Sequence, residues 1–176
     1  MTAETGAAAL FSASAVIDAA GTMGDLMGSV AGIAMHSDVY RKALKDDLIE
    51  TIPDSQGGNF QTFRGMAVVV DDLLPVDTGN YTSVLFTPGA VGWGISAPRV
   101  AEGTEIENKP GAGNGGGQQI LHSRVNLAVH PSGFQWNEGS VAAESPTIAE
   151  LALAANWNRV VERKAAGVAF LVAKLA

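Results

Sequence analysis

Gly32-Ile33-Ala34-Met35-His36-Ser37-Asp38-Val39-Tyr40 is the stretch on which the fold turns. Its first five residues make an apolar run of strand length that ends in a histidine, and read as a short buried strand. Ser37 then offers an N-cap, and Asp38 puts a carboxylate in the first turn, where the helix dipole favours negative charge. Tyr40, Ala43, Leu44 and Leu48 follow at helical spacing, so a strand hands over directly to an amphipathic helix.

Upstream, Val16, Ala20, Met23, Leu26 or Met27, and Val30 recur at three- and four-residue steps, which predicts a helix from Ser14 onward. Gly21, Gly24 and Gly28 each weaken it by about 1 kcal/mol relative to Ala, so it needs tertiary packing. Residues 1–13 read as a flexible arm. Downstream, residues 53–59 are turn-rich, and Met66-Ala67-Val68-Val69-Val70 has the β-branched content of a central strand. Residues 75–80 form another loop, and 81–86 and 91–95 read as strands parted by Thr87-Pro88-Gly89. Residues 104–108 alternate as a half-exposed strand, and 110–117 (PGAGNGGG) read as a flexible connection. Leu121, Val125, Leu127 and Val129 share one parity and predict one long strand, with only Ser123 breaking the apolar face. Ser145-Pro146 predicts a helix start with Ile148, Leu151, Ala152 and Ala155 as its inner face, and residues 167–175 read as a closing strand. The class is α+β, with strands outnumbering helices, no regular βαβ alternation and no fixed repeat.

The 176 residues predict one domain, or two small lobes sharing a core. Hydrophobic residues reach 47% and charged ones only 16%, which leaves a neutral surface suited to burial against neighbours. The net charge is −7, and the 11 Lys and Arg are scattered, which disfavours sequence-specific nucleic-acid binding. There is no cysteine, so disulfides and thiolate chemistry are excluded. Residues 1–11 hold Glu4 and no cation, unlike a secretory signal, and the apolar run 165–173 is too short for a membrane span. No membrane partner and no cofactor are expected.

Motifs with chemistry are sparse. Gly89-Ala90-Val91-Gly92-Trp93-Gly94 departs from G-x-G-x-x-G, and the glycines at 111–117 lack the Gly-Lys-Ser/Thr of a phosphate loop, so both read as turns or linkers. His36, His122 and His130 have no partner at metal-motif spacing. Asp71-Asp72 closes an apolar strand: a small soluble binding module or hydrolytic enzyme using Asp71, Asp72 and a remote histidine is the alternative to a plain strand end. Trp93, Trp136 and Trp157 are core or interface anchors, with Trp136, after a proline turn, the best interface candidate.

The order of these pieces resembles one family. Ile33-Ala34-Met35-His36-Ser37 with Val39-Tyr40 is similar to a stretch of tailed-bacteriophage major capsid proteins. Ile52-Pro53-Asp54-Ser55, Val68-Val69-Val70-Asp71-Asp72 and Tyr81-Thr82-Ser83-Val84-Leu85-Phe86 follow in family order. Val129-His130-Pro131-Ser132-Gly133-Phe134 with Trp136, then Ser145-Pro146-Thr147 and Ala155-Asn156-Trp157, complete it over nearly the whole chain.

The resemblance implies the C-terminal half of a Hong Kong 97-type capsid fold. Residues 14–100 would form an axial-domain core, 101–144 strands running toward the peripheral domain, and 145–176 a closing helix and strand. On this resemblance the family's N-terminal arm, extended loop and spine helix are expected to lie outside these residues. The implied function is a structural, non-enzymatic subunit of a phage or prophage shell, located in the virion after assembly in the host cytoplasm. Its implied partners are copies of itself in pentamers or hexamers, and a separate chain supplying the N-terminal half. Loops near the capsomer axis make Asp54, Gln56, Asn59, Asp77, Asn80 and Tyr81 candidate interface residues together with Trp136. A third reading is a module that binds a capsid without forming one.

Overall fold

The computed structural model describes residues 10–53, 58–98, 101–140, 143 and 145–175. The chain divides into two units, one of Met1–Ala90 with Ser132–Ala176 and one of Val91–Pro131.

The first unit is built on a seven-stranded mixed sheet. Its strands are β1 (Gly32–Met35), β2 (Glu50–Pro53), β3 (Asn59–Phe63), β4 (Met66–Val70), β5 (Val76–Asp77), β6 (Asn80–Phe86) and β13 (Val168–Lys174). The order is β13-β6-β1-β4-β3-β2, with β5 paired to β6. Among the described strands only β1 and β4 run parallel, and that crossover carries the helix α2 (Ser37–Lys45); Leu10 adds an isolated parallel bridge to Lys174 on the outer side of β13. Alternation sorts the strand residues onto two faces. Ile33, Met35, Leu85, Ala169 and Ala173 face the helices and are buried. Against them pack Val16, Ala19 and Ala20 of α1 (Ala13–Gly21) and Val39 and Ala43 of α2, joined by Phe63. Each such Val, Ile, Met or Leu contributes about 1.5–3 kcal/mol by leaving water. On the opposite face a Cβ at Gly32 would come within 2.6 Å of the Phe86 ring, so glycine lets that ring lie over β1.

The first helix is shorter than the periodicity predicts. Ser12 caps it by accepting from Ala15 N at 3.2 Å, and it ends at Gly21. A 3-10 turn at Gly24–Ser29 replaces its second half, with Gly24 at φ 57. The cap of α2 also moves by one residue: His36 Nδ1, rather than the Ser37 hydroxyl, accepts from Asp38 N at 3.1 Å. The last helix, α3 (Ile148–Ala152), starts after Thr147, not Ser145. Thr147 and Glu150 form a reciprocal capping box, which a residue at 145 cannot make with position 150. Ile148 and Leu151, expected as its inner face, are exposed.

The second unit consists of two antiparallel ribbons. In one, β7 (Val91–Ser96) pairs with β10 (Asn126–Pro131); in the other, β8 (Thr104–Lys109) pairs with β9 (Gln118–Ser123). The long strand expected through 121–129 is therefore two strands with different partners. Ser123, where the apolar parity breaks, closes the first, and Arg124 N donates to Gly103 O at 2.8 Å in the gap. Residues 110–117 are the tip of the β8–β9 hairpin, with Gly113, Asn114, Gly115 and Gly117 all at positive φ. The remaining strands, β11 (Phe134–Trp136) and β12 (Trp157–Arg159), pair in the first unit.

Candidate interaction surfaces and the His36–Asp72 cluster

The carboxyl end of β1 and the start of α2 gather most of the polar groups that the sequence singles out. His36 Nδ1 holds the Asp38 N–H, which leaves its Nε2 3.8 Å from Asp72 Oδ1. Asp72 accepts from Ser37 N at 3.2 Å and from the Ser37 hydroxyl, and these bonds hold its carboxyl below the usual range. Asp71 accepts from Leu73 N at 2.9 Å, closing its own turn. Tyr81 donates its hydroxyl to Asp38 at 3.1 Å and tilts against the His36 ring at 5.2 Å. The bond to Asp38, followed by burial, raises the Tyr81 pKa. Arg41 also pairs with Asp38.

This cluster explains Asp71 and Asp72 as backbone caps. The Ser37 hydroxyl bonds to Asp72 rather than to His36, and the acceptor nitrogen of His36 is committed to the helix start, so Ser37 and His36 do not form a nucleophile–base pair. Among the described residues no group of three or more His, Asp or Glu is placed to hold a metal ion.

The expected interface residues fall at several places. Asp77 and Asn80 face each other across a two-residue turn, and Tyr81 follows them, so these three share one hairpin. Thr78 donates its hydroxyl to Asp77 at 2.8 Å. Asn59 opens β3 opposite Pro53. Asp54 and Gln56 lie outside the described residues. Trp136 packs edge-on against Trp157 with ring centres 4.8 Å apart, and Trp157 Nε1 donates to Leu151 O at 2.9 Å.

Sequence reasoning underrated a larger surface. In the β7–β10 ribbon, Trp93 lies opposite Val129 and Ile95 opposite Leu127, all on one face. Trp93 is 70% exposed, and the other three are each more than half exposed. Ile106 and Leu121 form a second exposed apolar pair on β8 and β9. The signal was present: glycines at 92 and 94 alternate with Val91, Trp93 and Ile95, a strand with one apolar and one bare face. Two-stranded ribbons are marginal in water, so a face of this kind calls for a covering partner.

A family model described as Major capsid protein 13-like (Gp13-like) matches residues 1–169. The chain belongs to the Gp13-like major capsid protein family. It is 38% identical over 161 residues to the major capsid protein of Bacillus phage SPP1, a match covering 88% of this chain and 48% of that protein. The matched part is the relative's C-terminal half, so this capsid-family chain spans about half the length of the curated relative it matches. Among solved structures, the holo-SrpI encapsulin complex from Synechococcus elongatus PCC 7942 is similar at 16% identity and TM-score 0.37, over 64% of this chain and 45% of that one. Among the described residues no helix is long and apolar enough to cross a membrane.

Proposed function

We propose that this chain is a structural subunit of a phage or prophage icosahedral capsid, self-associating into pentameric or hexameric capsomers of a DNA-containing shell, with no catalytic step. On this reading the chain has a Hong Kong 97-type fold, with residues 14–100 as the axial-domain core, 101–144 as strands running toward the peripheral domain and 145–176 as the closing helix and strand; the separate unit Val91–Pro131 favours moving the first of these boundaries to about residue 91. The subunit is a virion component, assembled in the host cytoplasm. Asp77, Asn80 and Tyr81 on one hairpin, with Asn59, Trp136, Asp54 and Gln56, lie at subunit contacts.

The observation that carries this reading is the exposed apolar face of the β7–β10 ribbon in a chain of a capsid family. Trp93, Ile95, Leu127 and Val129 are each more than half exposed on one face, the kind of apolar patch that marks an interaction surface, and the family's relative carries an N-terminal half beyond the matched region. A polypeptide equivalent to that half is the occupant we assign to the face. The enzymatic alternative has no comparable support, since Asp72 and His36 are spent on a helix start.

Tryptophan fluorescence tests the assignment. Adding the N-terminal half of a full-length family member shifts the emission of Trp93 to the blue, and Trp93→Phe removes that shift. Co-purification with an unchanged spectrum would refute the assigned face; no association at all would refute the partner.

A further inference from the structure

The β8–β9 hairpin turns through residues 110–117, and Asn114 stands exposed near its tip. Two backbone bonds hold the turn, from Gly116 N to Gly113 O at 3.1 Å and from Gly117 N to Ala112 O at 3.0 Å. Neither uses the N–H of Gly115. Asn114 sits at φ 56 and Gly115 at φ 87.

Of the eight asparagines in the chain only Asn114 precedes a glycine; the others precede Phe60, Tyr81, Lys109, Leu127, Glu138, Trp157 and Arg159. Most of those others are also fixed by their pairing. Asn59, Asn80, Asn108, Asn126 and Asn158 stand in strand ladders, and the buried Asn156 donates its amide to Glu150 O at 2.9 Å. A side-chain amide reacts with the next backbone nitrogen only where the chain can bring that nitrogen onto Cγ. Gly115 has no Cβ to crowd the approach, and the space where one would stand is open. The turn lies outside the ladder, so moving Gly115 N breaks no strand bond.

We propose that Asn114 is a self-modification site, at which the chain deamidates through its own backbone. Gly115 N bonds to Asn114 Cγ, the Cγ–Nδ2 bond breaks, and ammonia leaves carrying the Gly115 amide proton. Water then opens the five-membered imide. Opening at Cγ gives aspartate. Opening at the backbone carbonyl of residue 114 gives isoaspartate, with the main chain rerouted through Cβ and Cγ. Water is taken up and ammonia is lost, and nothing is oxidised or reduced. Either product places a carboxylate within residues 110–119, a stretch with no charged side chain. Isoaspartate also adds a carbon to the main chain inside the turn, which displaces the two bonds that close it. The step needs no partner and is independent of the capsid reading.

Peptide mapping by mass spectrometry tests it, on the full chain held in mildly alkaline, ammonia-free buffer at physiological temperature, with an isoaspartate methyltransferase assay as second readout. Asn114 converts at least about tenfold faster than any other asparagine, a barrier lower by about 1.4 kcal/mol. Conversion quickens as the pH rises, because the attacking amide must give up its proton. Asn114→Gln, whose longer side chain closes a ring poorly, removes the fast site and its isoaspartate signal; the position is exposed, and circular dichroism verifies that the variant is folded. The same incubation in urea separates the dipeptide from the turn, and the folded and unfolded chains convert at comparable rates at Asn114. Faster conversion at another asparagine, an isoaspartate signal that survives Asn114→Gln, or an Asn114 that reacts in urea but stays intact in the folded chain overturns the proposal.

Discussion

Replacing Gly167 with Ala perturbs the point from which β13 departs. Gly167 sits at φ 69, and its would-be Cβ falls 2.6 Å from Thr87 Oγ1 and 3.3 Å from Ala90 Cβ. The left-handed backbone costs a residue with a Cβ about 1–2 kcal/mol. The overpacked contact adds about 1–3 kcal/mol, and moving Thr87 weakens its 3.3 Å hydroxyl bond to Gly167 O. A stiffer unfolded chain offsets about 0.4–1 kcal/mol. The net loss is about 2–4 kcal/mol, which for a chain of this size lowers the melting midpoint by roughly 5–15 °C. Thermal and urea melts followed by circular dichroism read it out. Gly111→Ala, with nothing within 4 Å of its Cβ and no positive φ, serves as the silent control. Adding Thr87→Ala to Gly167→Ala removes the clash but not the backbone strain, so the double variant is less destabilised than the two singles added together. A Gly167→Ala midpoint within error of the natural chain, or strictly additive effects, would refute the packing described at the start of β13.

Two further outcomes follow. Phe63 is fully buried and meets Phe11 edge-on at 6.5 Å between ring centres, so Phe63→Ala costs about 3–5 kcal/mol in urea unfolding; a loss under about 1 kcal/mol would contradict its core position. The Asp72 carboxyl is held below its ordinary value, chiefly by the Ser37 hydroxyl and N–H. A depressed carboxylate stabilises the fold above its unfolded value, and that stability is lost as the pH falls through the folded one. The gap in stability between the natural chain and Asp72→Asn is therefore full at neutral pH and closes below about pH 4, whereas a gap constant down to pH 2 would contradict the capping role.

The parts of the fold readable in the sequence were those fixed by local pattern. The strand at Gly32–Met35 followed by a helix, the strand at Met66–Val70 and the closing strand Val168–Lys174 all appear where alternation or apolar runs put them. The misplaced boundaries share a cause, which is competition between neighbouring caps. His36 beats Ser37 because its ring nitrogen reaches Asp38 N, and Thr147 beats Ser145 because Glu150 lies at capping-box spacing from it. The first helix stops at Gly21 because three glycines within eight residues leave too little propensity to carry it past the packed face of Val16, Ala19 and Ala20.

Non-local pairing was not readable. Nothing near Asp72 reveals that it caps a helix 35 residues upstream, since that bond exists only once β1 and β4 lie side by side. The split of residues 121–129 between two partner strands is likewise a property of the ladders, hinted at only by Ser123. The apolar ribbon face was visible as a pattern at Val91, Trp93 and Ile95, but only the paired geometry shows that Leu127 and Val129 extend it and that it stays exposed.

A shell-forming subunit of the kind proposed assembles into rings of five or six copies, or closed shells, when co-expressed with the N-terminal half of a full-length family member. Light scattering with negative-stain microscopy, on that sample and on the purified chain, reads this out. Monodisperse monomers or simple one-to-one complexes in both samples, across micromolar concentrations, would contradict it.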